Sequence, residues 1–348
     1  MVPEQMTAAV MYGPGDIRVE QVDTPKPKTG EVLLKVAACG VCGSDIPRML
    51  HNGGYVMPII CGHEFSAYVE QLGDGVTGFK AGDLVSVPPL IPCYKCDYCV
   101  KGDFGLCDDY GYFGSRSNGA YAQYVVAPVG NLLMMPEAMD PRAVAMLDPA
   151  AIALHALWKT NLRTGHRVLV VGAGPIGLFA IQWAKMAGAS QIVAIDLSPE
   201  KTAMALEAGA TDAVQTPEEA HELAGRGFDI VLESAGVAAT VDLAASLVGP
   251  QGHATYIGIP HAPVALSKET FDSFLRQEAS LHGSWNSFSA PFPGAEWRTA
   301  VKKLADGSLM WKFMITHELP LSELPRTMQA LGDRSMFSSK VIFVPNEG

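Results

Sequence analysis

The sequence predicts an α/β fold in which a mainly β part is joined to a doubly wound parallel sheet, and three observations point to it. Short β-type runs separated by Gly- and Pro-rich turns fill residues 8–147. Strand and helix patterns then alternate regularly through the middle third. Mixed character returns in the tail, which ends on an apolar β-type run at 340–344.

In the first part, the runs at 31–36, 65–72 and 84–88 have the length and turn spacing of strands paired over long sequence distances. A compact apolar helix is expected at 152–158, and Gly165 marks the turn into a strand at 167–171. There follow a helix at 176–186, a strand at 191–195 and a helix at 199–207, where Ser198 can cap and Pro199 suits the first turn. A short strand at 213–214 precedes a helix at 217–224. A strand at 229–233, a helix at 237–247, a strand at 253–258, a helix at 270–276 and a strand at 280–283 complete the rhythm. Alternation of this length implies a parallel sheet covered on both faces. The tail adds helices at 296–306 and 324–331 before its strand, which can rejoin the first part. The expected division is therefore 1–155, 156–290 and 291–348, with the βα unit inserted between two parts of one domain.

A chain of 348 residues can bury more than one sizeable core. Its 48% apolar content, with 35 Gly and 24 Pro, is that of globular α/β material. The formal charge of -11 argues against a general nucleic-acid binder, while leaving room for a local basic pocket. Apolar runs such as 167–187 are broken by Gly-Ala-Gly-Pro, so they read as strand and helix and no membrane partner is expected. Residues 1–10 lack a basic region followed by an apolar core, so a secretory leader is not expected. Seven cysteines, four of them between 93 and 107, favour reduced thiols and a metal over a disulfide framework. The cytoplasm is the expected location.

The strand at 167–171 leads into Gly172-Ala173-Gly174-Pro175-Ile176-Gly177 and then a helix. In such a turn the first glycine permits the tight bend, the second leaves room for a pyrophosphate and the third allows close helix-to-strand packing. The helix N-terminus offers unpaired amides to the anion. Asp196 stands at the end of the next strand, placed to accept hydrogen bonds from an adenosine ribose and to repel a 2′-phosphate. NAD is therefore expected as the cofactor in preference to NADP; the alternative is that Asp196 only caps the turn beside Ser198.

Cys93, Cys96, Cys99 and Cys107 have the spacing C-x2-C-x2-C-x7-C. Four thiolates on a short loop make a closed tetrahedral zinc site, and its loss should disorder residues 90–115. An iron–sulfur cluster is the chemical alternative, without an electron-transfer context to support it. A second, more dispersed set comprises Cys42, His63, Glu64 and Asp148. Cysteine, histidine and carboxylate can hold a catalytic zinc while leaving one position for substrate. The alternatives are a buried thiol at Cys42 and a turn-satisfying ring at His63.

Taken together, the Cys42-Gly43-Ser44-Asp45 and Gly62-His63-Glu64 motifs, the four-cysteine segment and the glycine turn resemble the zinc-containing medium-chain dehydrogenases, more narrowly their polyol dehydrogenase branch. The resemblance covers essentially the full chain. Residues 87–93, Phe113-Gly114-Ser115-Arg116, His155-Ala156 and Gly283-Ser284-Trp285 carry it more specifically than the glycine motif. It implies a GroES-like, mainly β catalytic domain made of both chain ends, with a structural zinc lobe at 90–115 and a Rossmann-type domain between. It further implies one catalytic and one structural zinc, NAD, an active site in the cleft and a homodimer or homotetramer. Cys42 and His63 become zinc ligands, Glu64 an alternative ligand or a nearby carboxylate, and Ser44 the group that passes the alcohol proton onward.

Two departures stand out. Asp148-Pro149 occupies the place of a usual Glu-Pro, so the carboxylate is one methylene shorter. Pro47 stands where many related enzymes carry a relay histidine, and His51 has no claim to replace it. The resemblance implies reversible oxidation of a secondary hydroxyl of a polyol or sugar phosphate, with a phosphorylated hexitol the nearest substrate. An unphosphorylated polyol and a threonine-type amino alcohol are the rivals, and a nucleotide-responsive binding protein is the non-enzyme alternative. Arg48 and Arg116 are candidate contacts to phosphate or hydroxyls, or else loop-ordering arginines. Trp285 is a candidate cleft-lining residue, or else packing at a domain boundary.

Overall fold

The structure is a computed structural model that describes residues 1–346. The chain divides into two compact units: Met1–Asp148 together with the segment from Phe288 onward, and Pro149–Ser287. The helix Leu147–Trp158 straddles the first division.

The first unit is organised around the strand Glu31–Gly40, which pairs antiparallel with Glu64–Leu72, with Tyr124–Pro128 and with the late strand Lys340–Phe343. Leu84–Ser86 and Leu133–Met134 extend the sheet on one side, and Ile315–Leu319 closes the other, parallel to Lys340–Phe343. Most of Glu31–Gly40 is buried, and Val32, Leu33, Leu34 and Val36 share one core with Phe65, Val69, Val85, Tyr121 and Phe343. Burial of this kind is the main force fixing strand register, because a one-residue slip would turn each side chain to the wrong face. The register sets Gly40 opposite both Glu64 and Ile342. Residues far apart in sequence are thereby delivered to one end of the sheet.

The second unit is a six-stranded, fully parallel sheet. In chain order its strands lie 3-2-1-4-5-6, the order of a doubly wound dinucleotide-binding sheet. The strands Arg167–Val171 and Gln191–Ile195 are almost continuously apolar, as burial on both faces demands. Helices Pro175–Met186, Pro199–Ala208, Pro217–Ala224, Ala238–Ser246 and Lys268–Arg276 follow the strands as expected. The strand expected at 253–258 instead runs over Val248–Tyr256, because pairing of Val248 with Phe228 carries it past the irregular Gly249-Pro250 step. Among the described residues no helix is long and apolar enough to cross a membrane. The α/β class predicted from the sequence is the class observed.

Candidate active site and metal centres

Gly172 ends the strand Arg167–Val171 at φ +94°, where a Cβ would meet the Ala235 backbone nitrogen at 2.9 Å. A Cβ on Gly174 would have no atom within 4 Å, so the N-terminus of helix Pro175–Met186 lies open to an approaching group. A Cβ on Gly177 would run into the Gly172 carbonyl oxygen. Each glycine thus has a separate geometric reason, matching turn, approach and packing. Pro175 and Ile176 open the helix, Pro175 at a first-turn position that needs no amide hydrogen. Asp196 follows the strand Gln191–Ile195, and its two oxygens accept hydrogen bonds from the Ala173 N–H (2.9 Å) and the Ser198 N–H (3.1 Å). The acid is therefore tied directly to the glycine turn.

In the first unit, Cys42 lies just past the end of Glu31–Gly40, and Glu64 opens the neighbouring strand with His63 immediately before it. One ligand atom from each of the three lies within 4.8 Å of the others. Asp148, in the first turn of Leu147–Trp158, is buried but stands outside that set, and its Oδ1 has no hydrogen-bond partner. Burial first, and the Glu64 charge second, push the Asp148 carboxyl up to about 7 against the pull of His63 and Lys340. The Ser44 hydroxyl donates to Cys42 Sγ at 3.3 Å.

Five further residues organise this cluster; Asp45 belongs to a motif noted in the sequence, and none of the five was given a role there. Asp45 is fully buried; Oδ2 accepts from the Tyr121 hydroxyl at 2.9 Å and the Cys42 N–H at 3.2 Å. Its Oδ1 pairs with Arg48 Nη1 at 2.9 Å and lies 3.4 Å from His63 Nδ1, without hydrogen-bond geometry to the ring. Burial alone would raise the Asp45 carboxyl, but His63, Arg48 and Tyr121 together hold it down to about 2. Lys340 is buried against Glu64 in a close ion pair, and its Nζ also donates to the Val41 carbonyl at 2.9 Å. Gly40 makes room for this pair: a Cβ there would meet Lys340 Cε at 2.6 Å and Glu64 Oε2 at 2.9 Å. The Tyr112 ring meets His63 edge-on, with centroids 5.6 Å apart.

The donor set fits a divalent cation. Three side-chain ligands of sulfur, nitrogen and oxygen type converge, which is the pattern of a zinc centre with one open position. Burial lowers the His63 imidazole, yet the Asp45 and Cys42 charges outweigh it and raise the group well above its usual value. The same negative field favours a bound metal ion, and the Asp45 carboxylate, 3.4 Å from His63 Nδ1, stands on the side of the ring where a metal-binding histidine commonly has an acid.

The four-cysteine group also fits. Its thiols all lie within 4.8 Å of one another, with Cys93 and Cys99 sulfurs 3.9 Å apart. Four sulfurs at about 2.3 Å from a tetrahedral zinc would be about 3.8 Å from each other. The Lys95 and Cys96 amides lower the Cys93 thiol to about 6, which favours the thiolate a metal requires. Phe104 and Tyr94 pack on Phe292, anchoring the lobe to the returning C-terminal segment.

Of the remaining sequence candidates, Arg48 is committed to Asp45. Arg116 is exposed and stacks on two tyrosine rings, Tyr55 and Tyr110. Trp285 is half-exposed just past the strand Ser280–Gly283. His51 is exposed in the short turn Arg48–Asn52 that begins after Pro47.

A GroES-like unit holding an open and a closed metal-binding group, in one chain with a doubly wound sheet that carries a glycine turn, defines a zinc-dependent dehydrogenase. The chain belongs to the zinc-containing medium-chain alcohol dehydrogenases: residues 28–137 match the alcohol dehydrogenase GroES-like domain and 175–306 the zinc-binding dehydrogenase family. Galactitol 1-phosphate 5-dehydrogenase of Escherichia coli K12 is 35% identical over 347 residues, covering 98% of this chain and 100% of that one. The crystal structure of galactitol-1-phosphate dehydrogenase from Escherichia coli superposes with a TM-score of 0.92 over 98% of this chain and 100% of that chain. Sorbitol dehydrogenase of Halalkalibacterium halodurans is 33% identical over 343 residues, 96% of this chain and 97% of that one. The chain is thus a polyol or alcohol dehydrogenase that uses zinc and NAD.

Proposed function

We propose that the chain reversibly oxidises galactitol 1-phosphate at C5 to tagatose 6-phosphate, with hydride passing to NAD. The observation that carries the chemistry is the convergence of half-buried Cys42 with buried His63 and Glu64. The full-length likeness to galactitol 1-phosphate 5-dehydrogenase supports the phosphorylated hexitol.

In this reading Cys42, His63 and Glu64 hold the catalytic zinc, with Asp148 the adjoining carboxylate. Cys93, Cys96, Cys99 and Cys107 hold the structural one. Bound zinc supplies Lewis acidity that eases loss of the alcohol proton. Bound NAD supplies the hydride acceptor. Ser44 Oγ receives the alcohol proton and hands it on, a task Pro47 cannot perform. Asp45 fixes the His63 ring, and Lys340 fixes the Glu64 carboxylate. Gly172, Gly174, Pro175, Ile176 and Gly177 seat the pyrophosphate, and Asp196 binds the ribose hydroxyls while repelling a 2′-phosphate. Asp196→Ala accordingly lowers the ratio of NAD-linked to NADP-linked rates; an unaltered ratio counts against that role. The reading includes a cytoplasmic homodimer or homotetramer, with no nucleic-acid or membrane partner.

The test is NADH formation by zinc-replete protein with galactitol 1-phosphate, galactitol, sorbitol and threonine side by side. A kcat/KM at least about 10-fold higher for the phosphate ester is expected, the worth of one charge-assisted contact. Preference for a free polyol or for threonine replaces the substrate and keeps the mechanism. Cofactor binding without turnover of any substrate would favour a nucleotide-responsive binding protein.

A further inference from the structure

The two arginines that the sequence offers as substrate contacts differ in what holds their charge. Arg48 is spent on a buried acid: its Nη1 lies 2.9 Å from Asp45 Oδ1. Among the described residues Arg116 has no carboxylate partner, in a chain with 36 acidic against 25 basic side chains. Its guanidinium carbon instead lies 4.0 Å from the centre of the Tyr55 ring and 4.5 Å from that of Tyr110. Among the described residues the Arg116 guanidinium makes no side-chain hydrogen bond or ion pair, so its N–H donors remain for an anion.

The clamp is also held by backbone. The Arg116 N–H donates to the Tyr112 carbonyl at 2.9 Å, and the Tyr55 N–H donates to the Ser115 carbonyl at 3.3 Å. The Tyr110 ring in turn packs edge-on to Tyr112, with centroids 6.4 Å apart, and Tyr112 packs on His63. An unbroken run of ring contacts therefore links Arg116 to the metal-competent cluster.

We propose that Arg116, held by Tyr55 and Tyr110, is the specificity-determining residue that takes the phosphate of a phosphorylated polyol whose hydroxyl reaches the Cys42–His63–Glu64 cluster. This rests on the reading above that the substrate is a phosphate ester. A planar fork with its donor edge free matches phosphate oxygens two at a time, which a carboxylate-paired arginine cannot do. Arg48 is by contrast a positioning residue, acting through Asp45.

The experiment compares zinc-replete unsubstituted enzyme with Arg116→Gln and Arg116→Lys, using galactitol 1-phosphate, galactitol and inorganic phosphate as an inhibitor. In Arg116→Gln the ratio of kcat/KM for galactitol 1-phosphate to that for galactitol should fall about 10- to 100-fold, the loss expected for a charge-assisted hydrogen bond. The change should lie in KM, Arg116→Lys should recover part of it, and inhibition by inorganic phosphate should weaken in parallel. An unchanged ratio with unchanged phosphate inhibition overturns the proposal, as does an equal loss on both substrates. If the unsubstituted enzyme shows no preference for the phosphate ester, the substrate reading fails by itself. Phosphate inhibition then decides for Arg116: weaker in Arg116→Gln upholds its anion-binding role, and unchanged refutes it.

Discussion

Asp45 accepts from the Cys42 amide and the Tyr121 hydroxyl, pairs with Arg48 and faces His63 Nδ1, so one buried carboxylate touches two of the three ligand residues. Its negative charge and its shape act together. Asp45→Asn preserves the shape and removes the charge, and should weaken zinc binding at this centre by about 10- to 100-fold. Competition with a chelator measures it; unaltered affinity would deny Asp45 that part. Cys42, His63 and Glu64 are legible in the sequence because their residue types and motifs are distinctive. Lys340 escaped because it reaches Glu64 from 276 residues away, through strand pairing. A signal was present even so: Lys340 opens a run whose next four residues are all apolar, and a strand buried on both faces takes the lysine inside with it.

At the scale of elements, the four-cysteine lobe has little regular structure to hold it. The helix Asp97–Lys101 and the turn Phe104–Leu106 are its main pieces, with Phe104 packed on Phe292. Cys99→Ser should therefore remove one zinc per chain and expose residues 90–115 to limited proteolysis. Cleavage outside that loop, or an intact zinc complement, would contradict the structural role. Most helices and parallel strands of the second unit were legible to within about two residues, because burial on both faces writes continuous apolar runs into the sequence; the starts of Val248–Tyr256 and of Leu147–Trp158 were not. The strand Ile315–Leu319 was not, since its side chains are only half-buried and its pairing with Lys340–Phe343 is what makes it a strand.

Across the whole molecule the chemistry is divided. The unit made from both chain ends holds the two metal-competent groups, and the other holds the glycine turn with Asp196. The metal-competent groups differ in kind: four thiols that leave no position open, and a mixed set that leaves one. Zinc content and turnover should therefore separate cleanly. The most direct measurement is zinc per chain, by atomic emission, together with NADH formation on galactitol 1-phosphate, in the unsubstituted protein and in Cys42→Ala. Two zinc ions should fall to one, and NADH formation to background, while the melting temperature stays close to that of the parent. Retention of both ions with undiminished turnover would show that the Cys42–His63–Glu64 cluster is not the catalytic centre.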